Sequence, residues 1–146
     1  MKKYHTHLST ALSIVTLFTL LSISGCNSYE PIIKVQVIKL LTAAPWNLSS
    51  VDVDGVDQTS VYNGLIITFS DDTFTSSNGG AVWPATGTWV FTDEQATAFE
   101  RDDGLIVTIQ EITETSLKLA LTWNETTVGS GRTGSVSGNN VFSFTP

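Results

Sequence analysis

From Pro45 onward the chain alternates apolar and polar residues with a period of two, and this constrains its fold more than any other feature. Leu117, Leu119, Leu121 and Trp123 fall on one side of a run whose other side is Lys118, Ala120, Thr122 and Asn124. Leu105, Val107 and Ile109 repeat the pattern, as do Leu65, Ile67 and Phe69. Successive side chains of a strand point to opposite faces, so such runs are half-buried antiparallel strands. Threonine, valine and aromatic residues dominate the runs, and Gly, Asn, Asp and Ser cluster between them. Eight strands are expected, at 45–53, 64–70, 73–77, 86–92, 97–101, 105–112, 116–123 and 137–145. Ahead of them, "IIKVQVIKLL" over 32–41 fits a strand by its Lys34/Gln36 alternation. It fits a helix equally well by the spacing of Ile33, Val37, Leu40 and Leu41, and a short helix is the reading adopted. No internal repeat or low-complexity segment interrupts this single domain, which is set at 32–146.

Loop lengths arrange the strands. In a meander, successive turns fall at alternate ends of the sheet. The connections at 71–72, 93–96 and 113–115 are short, and those at 54–63, 78–85 and 124–136 are long, with the short 101–104 turn on their side. Long loops therefore gather at one end and tight turns at the other. The last strand runs antiparallel to the first, so the two can pair, close the ring and remove both edges. The expected fold class is all-β: an eight-stranded antiparallel up-and-down barrel, with the short N-terminal helix plugging its tight-turn end and loops lining a mouth. Eight strands enclose room for side chains or for one small ligand.

The chain's single cysteine, Cys26, ends the stretch "LSISGC". Lys2 and Lys3 precede an apolar run that is too short to cross a bilayer core, which takes about 20 residues. Ile23-Ser24-Gly25-Cys26 resembles a bacterial lipobox, at which a diglyceride is attached to the cysteine and the preceding peptide is cut away. The resemblance implies a lipoprotein signal peptide over 1–25, acylation at Cys26 by diglyceride and palmitate-type chains, and a tether over 26–31. An ordinary secretory peptide or a short membrane anchor are the competing readings. Two acyl chains hold a protein stably on a membrane. Asn27-Ser28-Tyr29 lacks the aspartate associated with inner-membrane retention. The expected location is therefore the outer membrane, with the domain facing the periplasm or exposed at the surface.

What remains after cleavage excludes several functions. His5 and His7 leave with the leader, and the cysteine is acylated, so neither a Ser-His or Cys-His nucleophile nor a usual zinc site can be assembled. A disulfide framework is likewise excluded. Five basic residues stay (Lys34, Lys39, Lys118, Arg101 and Arg132) against 14 acidic ones, a balance that excludes nucleic acid. The chain is expected to be a monomer, to catalyse nothing and to need no cofactor or metal.

The quoted runs "LLTAAPWNLSSVDVDG", "YNGLIITFS", "VWPATGTWVF", "RDDGLIVTI" and "TETSLKLALTW" resemble those of the lipocalin-like domains of bacterial lipoproteins. The resemblance spans most of 26–146 and implies an eight-stranded barrel with a helical turn over its closed end. Two departures stand out. Ala44-Pro45-Trp46 keeps the first-strand tryptophan of lipocalins without its Gly-x-Trp glycine, and 136–146 supplies no basic residue to cover it.

Candidate site residues are few. Tyr62 and Trp83 lie in long connections, where each either stacks a ligand or folds down to close its own loop. Arg101 and Arg132, the only arginines, both fall at the mouth end, where either could receive an anionic group or pair with neighbouring acids. Trp46, Trp89 and Trp123 lie within strands and read as core. "DVDGVD" (Asp52, Asp54, Asp57) superficially resembles a calcium loop, but the twelfth position is Asn63, and a turn at Asp54-Gly55 is the simpler reading. Asp71-Asp72 and Asp102-Asp103 are adjacent pairs on opposite faces of a strand, suited to turns rather than to glycoside hydrolysis. Two functions follow. One is carriage of a small, partly apolar molecule in the mouth, with Tyr62, Trp83, Arg101 and Arg132 as the ligand-binding set. The other is a solidly packed barrel acting as a structural or interaction module whose loops meet a protein or glycan.

Overall fold

The computed structural model describes residues 32–125 and 136–146. The expected signal peptide, Cys26 and the tether lie outside the described residues, as does Arg132. Helix α1 (Ile32–Leu41) is followed by nine strands: β1 (Trp46–Val53), β2 (Val56–Asp57), β3 (Ile66–Phe69), β4 (Thr73–Ser77), β5 (Thr86–Phe91), β6 (Ala98–Arg101), β7 (Ile106–Ile112), β8 (Leu117–Trp123) and β9 (Gly138–Thr145). Every pairing is antiparallel, and from β3 through β8 each strand pairs with the one that follows it. β1 pairs with β3 on one side and with β9 on the other, so the ring closes. β2 is a two-residue return on the end of β1, which leaves eight staves in the ring. This is the expected all-β, eight-stranded up-and-down barrel with a short N-terminal helix.

The first connection is less open than its length suggests. The 54–63 segment holds β2 and a single 3-10 turn (Thr59–Tyr62). Two register shifts, between Leu48 and Ser50 and between Ile109 and Glu111, mark bulges that bend β1 and β7 around the ring.

Helix α1 closes the tight-turn end. Leu41 is fully buried, and its carbonyl accepts a 2.9 Å hydrogen bond from Trp46 Nε1, fastening the helix end to the first residue of β1. At the other end of the helix Lys34 Nζ reaches Glu94 in the β5–β6 turn at 3.1 Å. That pair is exposed and adds little energy, but it marks which end of the barrel the helix occupies.

Aromatic side chains fill the axis. At the helix end Phe69 meets Trp89 and Phe99 edge-on, with ring centroids 6.0 and 5.8 Å away. Toward the loops the Phe142 ring lies 5.1 Å from Tyr62 and 5.9 Å from Trp83. Such edge-to-face pairs each add about 0.5–1.5 kcal/mol beyond the area they bury.

Candidate functional site

The loop end of the barrel is where the sequence places a binding site, and the structure brings three of the four expected residues there. Tyr62 ends the 3-10 turn and Trp83 lies in the β4–β5 connection, yet each side chain is only 1% exposed. Neither lines an open rim. Both have folded down and fill the loop end, the second of the two placements open to them. The reason is local. Gly79 sits where an added Cβ would come within 2.4 Å of Trp83 Cβ, so the chain can double back tightly there. Ser76 Oγ then donates to the carbonyls of Trp83 (3.1 Å) and Pro84 (2.8 Å), holding the returned segment on β4. Asn78 Nδ2 donates to Gly64 O at 2.9 Å and joins this loop to the preceding one.

Arg101 is also buried, at 2% exposure. Its guanidinium carbon lies 5.1 Å from the Trp83 ring centroid and 5.7 Å from that of Phe74. Nη1 donates to Val82 O at 2.7 Å, while Nε and Nη2 form a two-pronged ion pair with Asp103. The partner comes from a tight turn: Gly104 N donates to Arg101 O at 2.9 Å, turning Asp103 back toward the strand. Burial pushes the Asp103 carboxyl up, but hydrogen bonds from Arg101 and the Leu105 amide, with the charge of Arg101, outweigh it and hold the group below its ordinary value. All three sides of the guanidinium are thus committed to the chain itself. Arg101 pins the 79–84 segment over the mouth and is not left facing a ligand.

The acidic motifs resolve as turn hardware. Asp52 Oδ1 accepts from Gly55 N at 2.7 Å, and Asp54 Oδ1 accepts from Asn139 N at 3.1 Å. Asp57 Oδ1 accepts from both the hydroxyl and the amide of Thr59, which lower its pKa in that order. The three carboxylates thus accept from donors on three separate residues and do not converge. Among the described residues no group of three or more acidic, histidine or cysteine side chains could hold a metal ion. Asp71 and Asp72 lie at the opposite, helix-capped end, beside Lys34.

Two concavities lie on the outside of the barrel, along β7 and β8. One of about 450 Å³ is centred on Ala120 and bordered by Ile106, Thr108, Gln110, Asn139 and Val141. A second, of about 260 Å³, shares Leu105 and Thr122 with the first and extends to Trp123 and Glu125. The only sequence hint is Ala120, a methyl on the outward side of β8 between Lys118 and Thr122.

The fold and this site define a small up-and-down β-barrel whose loop end is plugged by its own tryptophan and arginine. In comparisons with known proteins, no family model, no curated protein and no solved structure matches the chain.

Proposed function

We propose that this chain is a lipid-anchored, non-catalytic interaction module: a packed lipocalin-like barrel, held on the outer membrane through Cys26, that binds its partner on its outer surface and loops. The single observation that supports this reading is the occupied mouth. Tyr62 and Trp83 are buried against Phe142, and Arg101 is locked between Trp83, Val82 O and Asp103. Eight-stranded barrels are often filled by their own side chains, and binding is then left to the exterior. The anchor rests on the lipobox-like "ISGC" and its apolar leader. No helix among the described residues is long and apolar enough to cross a membrane.

Two measurements test the reading. Metabolic labelling with a fatty acid should mark the wild-type chain and leave Cys26→Ser unlabelled; label on both would remove the anchor. Native mass spectrometry of a soluble form starting at Asn27 should give the bare polypeptide mass. A stoichiometric apolar adduct would instead favour the second reading, carriage of a small apolar molecule under the 79–84 segment. One feature speaks for carriage: among the described residues the buried Trp83 Nε1 has no hydrogen-bond partner.

A further inference from the structure

Helix α1 carries more apolar surface than its packing uses. Val37, Ile38 and Leu41 lie against the barrel core. Ile33 and Val35 do not: they are 50% and 52% exposed, whereas a surface helix ordinarily keeps its outer face polar. At about 100° per residue, these two border the outward face of the first turns, and the exposed Gln36 and Lys39 lie between them. Val90 and Ile106 are exposed on the strands as well, but Glu100 stands between them across the sheet, as scattered surface residues do. On the helix two large aliphatic side chains share one turn with no acid between them.

What this turn meets follows from where the chain leads. Cys26 lies six peptide links before Ile32, and six residues at full stretch span at most about 20 Å. An acyl group on Cys26 therefore keeps the first turn of α1 within that reach of the bilayer. The loop end stands beyond it, at the far side of the eight-residue strand β1.

Charge decides the manner of contact. Asp71, Asp72, Asp93, Glu94 and Glu114 occupy the tight turns of the helix end, so an anionic surface does not attract that end as a whole. Lys34 is taken by Glu94. Lys39 is exposed and forms no ion pair among the described residues. It lies four residues past Val35, about 6 Å farther along the helix axis. A helix entering with its first turn would thus carry its apolar residues in front and a cation behind them, at the level of the lipid phosphates.

We propose that the first turn of α1 is a membrane contact: Ile33 and Val35 enter the headgroup boundary of the bilayer that holds the anchor, Lys39 meets lipid phosphate, and the loop end is turned away from the membrane. The inference rests on the lipid-anchor reading above and adds to it the face that the barrel presents to the bilayer.

The test uses the acylated chain in phosphatidylcholine vesicles, with and without phosphatidylglycerol. Acylation occupies Cys26, so a single introduced cysteine takes a nitroxide cleanly. Gln36→Cys reports on the first turns without replacing either aliphatic residue, and Val56→Cys, 57% exposed at the loop end, is the reference. Collisions with a water-soluble nickel chelate, relative to those with oxygen, should be at least about threefold fewer at position 36 than at position 56, in both kinds of vesicle. Adding Ile33→Asp and Val35→Asp should return position 36 to the value of position 56, while the acyl group and the melting temperature stay as in wild type. Equal nickel access at 36 and 56 in the acylated chain overturns the contact and leaves the anchor standing. So does equal protection of position 36 with and without the two aspartates. Protection that requires phosphatidylglycerol assigns the contact to charge and overturns the apolar one. Spin–spin broadening at position 36 at low protein-to-lipid ratio would show a second copy on this face instead. A chain whose mass carries no acyl group at Cys26 removes the anchor reading itself, and the membrane contact with it.

Discussion

Arg101 shows how one side chain fixes the state of the mouth. It is a fully buried cation with a half-exposed counter-ion, Asp103, whose side chain is 42% accessible. Solvent screens part of that attraction, so the geometric hold on Val82 O matters as much as the charge. Arg101→Met keeps the aliphatic stem between Phe74 and Trp83, but leaves the Val82 carbonyl and Asp103 without their donor. We expect a loss of about 2 kcal/mol in urea unfolding, the cost of stranding a buried acceptor and one ion-pair partner. Arg101→Lys should recover less than half of it, because a single ammonium cannot serve the carbonyl and both carboxylate oxygens together. A variant as stable as wild type would mean that Arg101 does not hold the 79–84 segment down. Two acids in turns away from Arg101 are held in a similar way. The Thr97 hydroxyl and then its amide hold Asp93 below its ordinary value, as Thr59 does for Asp57. A carboxylate with a depressed folded pKa stabilises the fold at pH above its unfolded value, and that contribution is lost as pH falls through the folded one. The stability difference between wild type and Asp93→Asn should therefore be constant from pH 7 to about pH 5 and shrink steadily as the pH falls below the ordinary carboxylate range. A difference that does not shrink on acidification would exclude a charge-dependent role.

At the scale of elements, β5 carries an opening that the ring depends on. Gly87 pairs with Phe74 on β4, and a Cβ added at Gly87 would lie 2.5 Å from the Phe74 ring. The ring lies where a side chain would otherwise stand, which lets Phe74 reach Trp83 at 5.9 Å. Gly87→Ala is expected to cost about 1–3 kcal/mol through this overlap, read from the shift in denaturant midpoint with an unchanged slope. An unchanged midpoint would show that Phe74 can move aside freely. The elements themselves were largely legible in the sequence, since each of the eight long strands buries one face and so must alternate. Strand ends moved by a residue or two, as at Pro45 and Leu105, where turns take over. What alternation could not reveal was β2: Val56 and Asp57 are both exposed, so the strand has no buried face to leave a pattern. The helix over 32–41 was ambiguous for the opposite reason. Its apolar residues surround it, and Ile33 and Val35 remain half-exposed.

For the whole molecule, loop length located the mouth but not its contents. Long connections mark an end of a barrel, and whether they stand open or fold inward depends on packing of residues distant in sequence, such as Trp83 on Phe142. Tyr62 and Trp83 were therefore legible as residues of consequence but not as core. The outer hollow on β7 and β8 was invisible for a related reason: such a shape is set by cross-strand neighbours, and only the pairing of Ala120 with Thr108 and Val141 creates it. The distinction between a plugged and an open barrel can be measured directly. Trp83→Ala removes a fully buried indole and should cost about 3–5 kcal/mol, the usual range for deleting a large aromatic from a core. If the barrel is otherwise rigid, the vacated space is apolar, roofed by Arg101 and walled by Phe74 and Phe142, and should take up indole from solution, as dry engineered cavities accept small aromatic molecules. Titration followed by recovery of the melting temperature should show saturable stabilisation of Trp83→Ala and none of wild type. Equal stabilisation of wild type would mean that the plug gives way to a ligand at little cost, and the exterior would then lose its claim to be where this protein does its binding.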